Sequence, residues 1–293
     1  MPPPHLGKRL LRLTLFAMVV SYFAFSPYLF FMGLEFFPRK FDMNNAQPPA
    51  AGVMRENVSM TAANGAKLAA WFFPLPGARY TAIVHHGQGE NIGFKPYYDT
   101  AMVLRQAGCS VLLYDYEGFG ASQGKPSNEA MRRDAQAAYD YLIKARAIDP
   151  DYIIHCGVSL GSGPASAVAS TSRCAGVILI SPYLSLSKLA THHLPLLRIY
   201  PRFMFPQPDL GAEALLTSKL PVLVFHGDND FIIPVSNSDE FCRRYSGPKT
   251  FIRVHNGYHV GSLSHEQGAP YKGSSLEICR TFVDAITTCP QSR

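Results

Sequence analysis

The stretch YIIHC (152–156) followed by GVSLG (157–161) decides the fold of this chain. Its apolar first half predicts a β-strand, and the small residues at 164–170 predict a helix. A serine between two glycines at a strand-to-helix junction is typical of a nucleophile elbow, a turn so sharp that the flanking side chains must be small. The turn lifts the hydroxyl of Ser159 out of the sheet and points the helix N-terminus at the reacting carbonyl. A chance G-x-S-x-G in a loop is the alternative interpretation.

Strand and helix signals alternate along most of the remaining sequence. Asn64-Gly65 predicts a hairpin turn between strands at 58–61 and 67–73. Further strands are predicted at 81–85, 110–114, 152–156, 175–180, 221–225 and 250–254, and helices at 96–107, 127–146, 160–170, 236–246 and 274–288. This order predicts an α/β fold with a mostly parallel central sheet and helices on both faces. Residues 182–216 are apolar and rich in proline, and we interpret them as a short cap insert over a pocket.

A nucleophilic serine needs a base that takes its proton, and the base needs an acid that fixes its tautomer. On this type of fold the chain order is Ser, then Asp or Glu, then His, so both candidates must follow Ser159. Two aspartates lie in the loop after the apolar strand 221–225. We assign the acid to Asp230, which lies further into the loop, with Asp228 as the alternative and as a turn former.

The base is predicted in the loop after the strand 250–254. His259 lies past the strand end beside a glycine, and we assign it as the base. His255 follows the strand directly and His265 lies further along, and both stay alternatives. The other histidines precede Ser159 or lie near the predicted cap, where their default interpretation is structural.

Two backbone amides must stabilise the oxyanion. One is expected from Leu160, the residue after the nucleophile, and the other from Gln88 in the loop 85–91. That loop is rich in glycine, which permits close backbone approach. A tight turn with no catalytic role is the alternative for these glycines.

Composition limits the other function classes. The chain has 293 residues, 47% of them hydrophobic and 16% charged, and a formal net charge of +6. Its basic residues are scattered rather than clustered with aromatics, so we expect no nucleic acid as a partner. The pairs His85-His86 and His192-His193 are neighbours, and neighbours on a strand point to opposite faces. No H-E-x-x-H motif is present, and we expect neither a metal nor another cofactor.

The N-terminus carries the most apolar part of the sequence. Residues 13–34 contain no charged side chain, a length of about 22 residues that suffices to span a bilayer. We interpret residues 1–35 as a basic segment and a retained transmembrane helix, with a cleaved signal peptide and a buried or interfacial helix as alternatives. Residues 36–52 are then a linker and 53–293 the catalytic domain, which we expect on the outer side of a single-pass membrane protein.

The six cysteines form no C-x-x-C motif, which argues against zinc-ribbon and thioredoxin chemistry. Cys109 and Cys156 lie in or beside predicted strands and are expected as buried, apolar side chains. In an oxidising compartment, Cys279 and Cys289 are candidates for a bridge near the C-terminus.

Six motifs together resemble one family. They are HHGQGEN (85–91), DYEGFGASQGKP (115–126), GVSLG (157–161), Ser181-Pro182, HGDNDFIIP (226–234) and GYH (257–259). In order and spacing the chain is similar to the α/β-hydrolase superfamily, in the membrane-anchored branch of Bem46-like and ABHD13/ABHD17-like serine hydrolases. The resemblance implies Ser159 as nucleophile, Asp230 as acid and His259 as base. One residue departs from the family pattern, because Glu117 stands where an arginine is frequent, and the local ion pairs must therefore differ.

These observations predict a membrane-anchored serine hydrolase that cleaves a carboxylic ester or thioester through an acyl-enzyme. The same triad on an amide substrate, as in an aminopeptidase or amidase, is one alternative. A catalytically silent α/β-hydrolase that serves as a scaffold is another. The expected partners are a small acyl ester, thioester or amide substrate and, through the N-terminal helix, a lipid bilayer.

Overall fold

An eight-stranded β-sheet forms the centre of the protein. The computed structural model describes residues 4–24, 26–27, 36–40, 43, 52–259 and 274–288. The strands within these residues are β1 (Phe37–Pro38), β2 (Glu56–Thr61), β3 (Lys67–Phe73), β4 (Tyr80–His85), β5 (Gly89–Glu90), β6 (Cys109–Tyr114), β7 (Ile153–Val158), β8 (Gly176–Ile180), β9 (Val222–Gly227) and β10 (Lys249–Val254). The large sheet has the order β10-β9-β8-β7-β4-β6-β3-β2, and β1 pairs with β5 separately.

The helices connect these strands in the alternation that the sequence predicts. Within the described residues they are α1 (Pro4–Ala24), α2 (Lys95–Gln106), α3 (Asn128–Lys144), α4 (Ser162–Thr171), α5 (Leu186–His193), α6 (Ser236–Arg244) and α7 (Ser275–Thr288). From β4 onwards the strands of the large sheet pair in parallel, whereas β2 with β3 and β3 with β6 pair antiparallel. The predicted α/β-hydrolase fold with a mostly parallel sheet is confirmed.

Alternating side chains of the central strands separate two cores. Ala82 and Val84 of β4 pack in one core with residues of α2 and α7, whereas Ile83 packs in the other with residues of α3. Successive residues of a strand face opposite sides of a sheet, so fully apolar strands bury both faces under helices. Cys109 and Cys156 are 0% exposed, as expected of small apolar side chains.

The carboxyl end of β7 is where the fold positions its reactive serine. This strand continues through Val158, two residues beyond the predicted end at Cys156. A short 3-10 turn, Ser159–Gly161, follows the strand and leads directly into α4. The strand, the turn and the helix therefore form the elbow that the sequence predicts.

The predicted cap, residues 182–216, is built from short elements. It contains α5 and the 3-10 turns Pro195–Ile199, Arg202–Met204 and Ala212–Thr217. Proline interrupts this segment repeatedly and prevents longer helices, because it lacks an N–H donor and clashes with the preceding turn. Ala190, Leu197 and Phe205 form a small apolar core of the cap itself.

The N-terminal segment is described in part. Within the described residues, no helix is both long enough and apolar enough to span a membrane. The predicted transmembrane helix is therefore not confirmed. Of the predicted segment 1–35, residues 1–3, 25 and 28–35 lie outside the described residues. In the predicted linker, Phe37–Pro38 pairs in parallel with Gly89–Glu90, so this part of the segment contacts the loop after β4. Of the proposed Cys279–Cys289 bridge, Cys279 is buried and Cys289 lies outside the described residues.

Candidate active site

Ser159 occupies a strained turn at the end of β7. Its φ is 52°, in the left-handed region that side chains other than glycine rarely adopt. The glycines on either side leave room for the turn. A Cβ at Gly157 would lie 2.5 Å from Ser162 Cα, and a Cβ at Gly161 would lie 2.0 Å from the carbonyl oxygen of His85. Small neighbours are thus a steric requirement of the elbow, and strain of this kind is frequent at active sites.

A continuous hydrogen-bonded chain joins three predicted side chains. Ser159 Oγ lies 2.7 Å from His259 Nε2, and His259 Nδ1 lies 2.8 Å from Asp230 Oδ2. The three residues are far apart in the sequence, and they meet because β7 and β9 end at the same edge of the sheet and the loop after β10 reaches that edge. Ser159 is 5% exposed and Asp230 is also 5% exposed. The structure therefore brings the predicted nucleophile, base and acid together.

Asp230 is held as a charged, oriented carboxylate. Its Oδ1 accepts the backbone N–H groups of Ile232 at 3.0 Å and Ile233 at 2.8 Å. Burial by itself would raise the pKa of this carboxyl, but hydrogen bonds from His226 and His259 outweigh burial and hold the pKa well below its usual range. An ionised carboxylate only accepts hydrogen bonds, so the proton of His259 belongs on Nδ1. His259 Nε2 is then free to accept the hydroxyl proton of Ser159.

Two residues that the sequence analysis did not assign support this arrangement. His226 is 0% exposed. Its Nε2 donates to Ile233 O at 2.7 Å and lies 3.3 Å from Asp230 Oδ2. Ser181 donates its hydroxyl to the carbonyl oxygen of His259 at 2.7 Å and fixes the backbone of the base. Both lie in quoted motifs, but only the folded arrangement shows that they contact the triad.

Asp228 and His255, the alternative acid and base, pair with each other instead. Asp228 Oδ2 lies 2.9 Å from His255 Nδ1, and Asp228 Oδ1 accepts the backbone N–H of Asn256 at 2.6 Å. The hydrogen bond with His255 is the main cause that lowers the pKa of Asp228, and the hydrogen bond from the Asn256 N–H lowers it further. Both favour the carboxylate form. This pair ties the loop of the acid to the loop of the base. The other alternative base, His265, lies outside the described residues.

Gln88 and Leu160, the predicted oxyanion donors, line the same cavity as Ser159. Gly87 lies so close that a Cβ there would be 3.5 Å from Ser159 Cβ. The Gly87 carbonyl accepts a hydrogen bond from His86 Nδ1 at 2.8 Å. In a trans peptide the C=O and N–H point in opposite directions, so this bond turns the Gln88 N–H away from His86. His86 therefore sets the orientation of the peptide that we expect to hold the oxyanion.

A buried carboxyl lies behind His86. His86 Nε2 is 3.5 Å from Asp115 Oδ1, and both side chains are 0% exposed. Burial lowers the pKa of His86 to about 4, and burial raises the pKa of Asp115 to about 8. Both shifts favour the uncharged forms, so burial disfavours an ion pair between these two side chains. Asp115 Oδ1 also accepts the Ile92 N–H at 2.9 Å, which fixes the start of the segment after the glycine loop.

The cavity over Ser159 is apolar and has a volume of about 220 Å³. Its described lining combines the elbow, the cap and the loop that follows Asp230. The lining residues are Gln88, Ser159, Leu160, Tyr183, Leu186, Leu189, Ala190, His193, Leu194, Phe205, Pro206, Ile232 and Ile233. Within this described lining no Asp or Glu side chain is present. The predicted cap thus supplies most of the wall against which a substrate would lie.

Glu117, which departs from the family pattern, contacts one cationic and one polar side chain. It is 4% exposed, forms an ion pair with Arg133 and accepts a hydrogen bond from Asn64 Nδ2 at 3.0 Å. The backbone N–H of Glu117 donates to Asp134 at 2.8 Å. Arg133 on α3 thus provides the positive charge beside Glu117.

The paired histidines of the sequence belong to separate hydrogen-bond networks. His85 contacts Tyr114 Oη at 2.8 Å and His155 Nδ1 at 3.0 Å. His86, which follows β4, donates to the Gly87 carbonyl oxygen. His193 Nε2 donates to Ile232 O at 2.8 Å and so joins the cap to the loop of the acid. The described residues contain no group of three or more His, Cys, Asp or Glu side chains that could hold a metal ion.

Comparisons with known proteins show which chains this one is similar to. Residues 77–218 match the family Hydrolase_4, described as "Serine aminopeptidase, S33". The uncharacterised protein Rv2307c of Mycobacterium tuberculosis is 30% identical over 211 residues, which are 71% of this chain and 74% of that protein. Alpha/beta hydrolase domain-containing protein 17C of Xenopus tropicalis is 33% identical over 162 residues, 55% of this chain and 50% of that protein.

The solved structures add a comparison of folds. Esterase Pf2001 of Pyrococcus furiosus superposes with a TM-score of 0.67 at 18% identity, and the match covers 86% of this chain and 97% of the esterase. At that identity the likeness concerns the fold alone.

Proposed function

The chain belongs to the α/β-hydrolase superfamily of serine hydrolases, in its ABHD-like branch, and on that premise we propose that it cleaves a carboxylic ester or thioester through an acyl-enzyme at Ser159. One observation carries the proposal. The hydrogen-bonded chain Ser159–His259–Asp230, with contacts of 2.7 and 2.8 Å, ends at an apolar cavity of about 220 Å³. This is the arrangement of nucleophile, base and orienting acid that acyl transfer requires.

In the proposed reaction Ser159 Oγ attacks the carbonyl carbon while its proton moves to His259 Nε2. Asp230 stabilises the imidazolium and keeps its ring oriented. The amides of Leu160 and Gln88 hold the negative oxygen of the tetrahedral intermediate. His259 then gives the proton to the departing alcohol or thiol, which leaves an acyl group on Ser159. A water molecule, deprotonated by the same histidine, releases the acid and restores the serine.

The cavity lining favours an apolar acyl group over a peptide with a free amine. Apolar side chains of the cap form most of the wall, and the described lining contains no carboxylate that would bind an ammonium group. A serine aminopeptidase or amidase is the second candidate, because the matching family carries the aminopeptidase description. Hydrolysis of p-nitrophenyl esters compared with aminoacyl anilides separates the two, since only the second candidate predicts faster cleavage of the anilides.

The first test of the proposal is labelling with a fluorophosphonate, which reacts with an activated serine. Wild type should label, and Ser159→Ala should not. Ser166→Ala is the matched control, because Ser166 lies on the same α4 helix and its hydroxyl has no hydrogen-bond partner among the described residues. Labelling that survives in Ser159→Ala would refute the assignment. A wild type that neither labels nor turns over any ester, thioester or amide would favour the silent scaffold.

We further propose that residues 1–35 anchor the protein to a membrane, with the catalytic domain on the outer side. The support is the charge-free segment 13–34 and the basic residues that precede it. Protease treatment of sealed vesicles or spheroplasts tests the orientation. Digestion of the catalytic domain from outside is expected, whereas protection that disappears on lysis would contradict it.

A further inference from the structure

The outer surface of the cap is unusually apolar. Leu194, Leu196, Ile199 and Phe203, which we call the apolar cap face, are 41%, 84%, 66% and 76% exposed. They lie within 10 positions of one another in a segment of turns, beside the residues that line the cavity. Large apolar side chains clustered on a surface mark a site of interaction, because water does not favour their exposure.

Helix α1 presents a second apolar surface, which meets the cap. All described α1 side chains from Leu11 to Val20 are exposed. At its C-terminal end the Tyr22 ring stacks on Tyr200 of the cap, with centroids 4.6 Å apart, and Tyr22 Oη donates to Ile199 O at 3.5 Å. The apolar helix and the apolar cap face are therefore continuous, and α1 does not cover the exposed side chains of that face.

The charges near these surfaces favour one kind of partner. Three basic side chains lie between positions 182 and 208. Two of them are ion-paired, Lys188 with Glu240 and Arg202 with Asp209 and Glu213. Arg198 is exposed and forms no ion pair with a described residue. Helix α1 contains basic residues and no acidic one. An apolar surface beside a basic helix and an arginine that has no ion pair among the described residues fits a bilayer that contains anionic lipid headgroups.

The cavity opens towards this surface. Leu194 of the cap and Ile232 of the acid loop both line the cavity and are 41% and 43% exposed. The hydrogen bond from His193 to Ile232 O holds these two sides together at 2.8 Å. Phe231, beside Ile232, is 73% exposed. An apolar path thus leads from the outer surface of the cap to Ser159.

We propose that the apolar cap face and Phe231 rest on an anionic lipid bilayer, and that the acyl chain of a membrane-resident substrate reaches Ser159 directly from the lipid, between Leu194 and Ile232. The second half of this inference rests on the proposed hydrolase function. The first half concerns binding alone. It names a membrane contact of the catalytic domain itself, in addition to the proposed N-terminal anchor.

Fluorescence of the full chain tests the binding half. Trp71 is the single tryptophan of the sequence and is 2% exposed, so it contributes a constant background. The Phe203→Trp variant of the protein is reconstituted into vesicles of phosphatidylcholine and phosphatidylglycerol. Its fluorescence is compared between vesicles with ordinary acyl chains and vesicles with brominated acyl chains. Brominated chains should quench the new tryptophan. In the control Met54→Trp, at a site that is 63% exposed before β2, they should not. Equal quenching at both sites, or none at Phe203→Trp, would overturn the proposal.

Kinetics test the second half. The double variant Leu196→Asp/Phe203→Asp should hydrolyse a long-chain ester in these vesicles at least about ten-fold more slowly, the effect expected from removing a buried phenylalanine from lipid. Its rate on a water-soluble short-chain ester should stay within about two-fold, because neither residue lines the cavity. Met54→Asp should change neither rate. Equal losses on both substrates would refute direct entry from the lipid.

The outcomes separate the two proposals. If Ser159 is not the nucleophile, fluorophosphonate labelling fails while quenching at Phe203→Trp remains. If the apolar cap face instead binds a second copy of the chain, crosslinking through Phe203→Cys rises with protein concentration in the absence of vesicles, and the membrane proposal is refuted.

Discussion

Replacing His86 tests the orientation of the oxyanion loop. His86 Nδ1 donates to Gly87 O at 2.8 Å and so holds the peptide whose N–H belongs to Gln88. The informative pair of variants is His86→Asn and His86→Leu. Both new side chains branch at Cγ and lack the ring, but only asparagine retains an N–H close to the position of Nδ1.

The expected fall in kcat follows from the hydrogen bond that the Gly87 carbonyl loses. In His86→Leu the buried Gly87 carbonyl has no side-chain donor from this position, which costs about 1–3 kcal/mol and allows the peptide to turn. A turned peptide removes the Gln88 amide from the oxyanion hole, and the loss of one such donor lowers kcat about 10²–10³-fold. KM should change little, since the bond acts on the transition state. His86→Asn should recover most of the kcat lost in His86→Leu.

Steady-state kinetics on a short p-nitrophenyl ester measure kcat and KM separately, and circular dichroism confirms that each variant is folded. Equal kcat values in His86→Asn and His86→Leu would refute the role of the hydrogen bond, whatever the fall relative to wild type. Such a result would mean that His86 acts through its ring, which packs 4.5 Å from the Tyr116 ring and 5.1 Å from the Phe119 ring.

Three further predictions concern the carboxyl groups. Asp230→Asn should lower kcat about 10³–10⁴-fold. Its Oδ1 accepts two backbone N–H groups, so the new NH₂ must replace Oδ2 and donate to His259 Nδ1, leaving the ring unable to accept from Ser159. A fall in ester turnover below about ten-fold would contradict this tautomer argument. Burial raises the pKa of Asp115 from 3.8 to about 8, so the folded state keeps a proton that the unfolded state loses between these values. The free energy of unfolding of the wild type therefore falls as pH rises through this window. Asp115→Asn lacks the titrating carboxyl, so its free energy of unfolding, measured with urea, should rise relative to wild type between about pH 4 and about pH 8. A difference that is independent of pH would be inconsistent with a buried titrating carboxyl. Glu117→Arg should destabilise the fold by about 3–5 kcal/mol, because it places a second cation beside Arg133. Thermal unfolding measures this, and an unchanged Tm would show that the ion pair is dispensable.

Local sequence patterns were sufficient for the elements of the fold. Apolar runs of strand length alternate with longer helical stretches, and each predicted strand from 81–85 to 250–254 has its counterpart in the sheet. Boundaries differ by one or two residues, as at β7, because hydrogen bonding to neighbouring strands extends a strand beyond its apolar core. Local sequence patterns also do not predict the order of the strands in the sheet, because that order depends on pairing between distant segments.

The candidate triad could be chosen from the sequence because the fold restricts the order and the place of its members. Ser159 was identified by the glycines that its turn requires. Asp230 and His259 were chosen because they lie in loops at the ends of later strands. The choice between Asp228 and Asp230 depends on geometry, because the two carboxylates face different histidines only once β9 and β10 pair.

By itself, then, the sequence determined the fold class, the elbow at Ser159 and the loops from which an acid and a base would come, because these depend on local spacing and strand periodicity. Only the tertiary structure decided which buried groups support them. His226 beside Asp230, Ser181 on the His259 carbonyl and His86 on the Gly87 carbonyl act through hydrogen bonds. The sequence also did not predict which apolar side chains of the cap are exposed, because exposure depends on which side chains the folded chain covers.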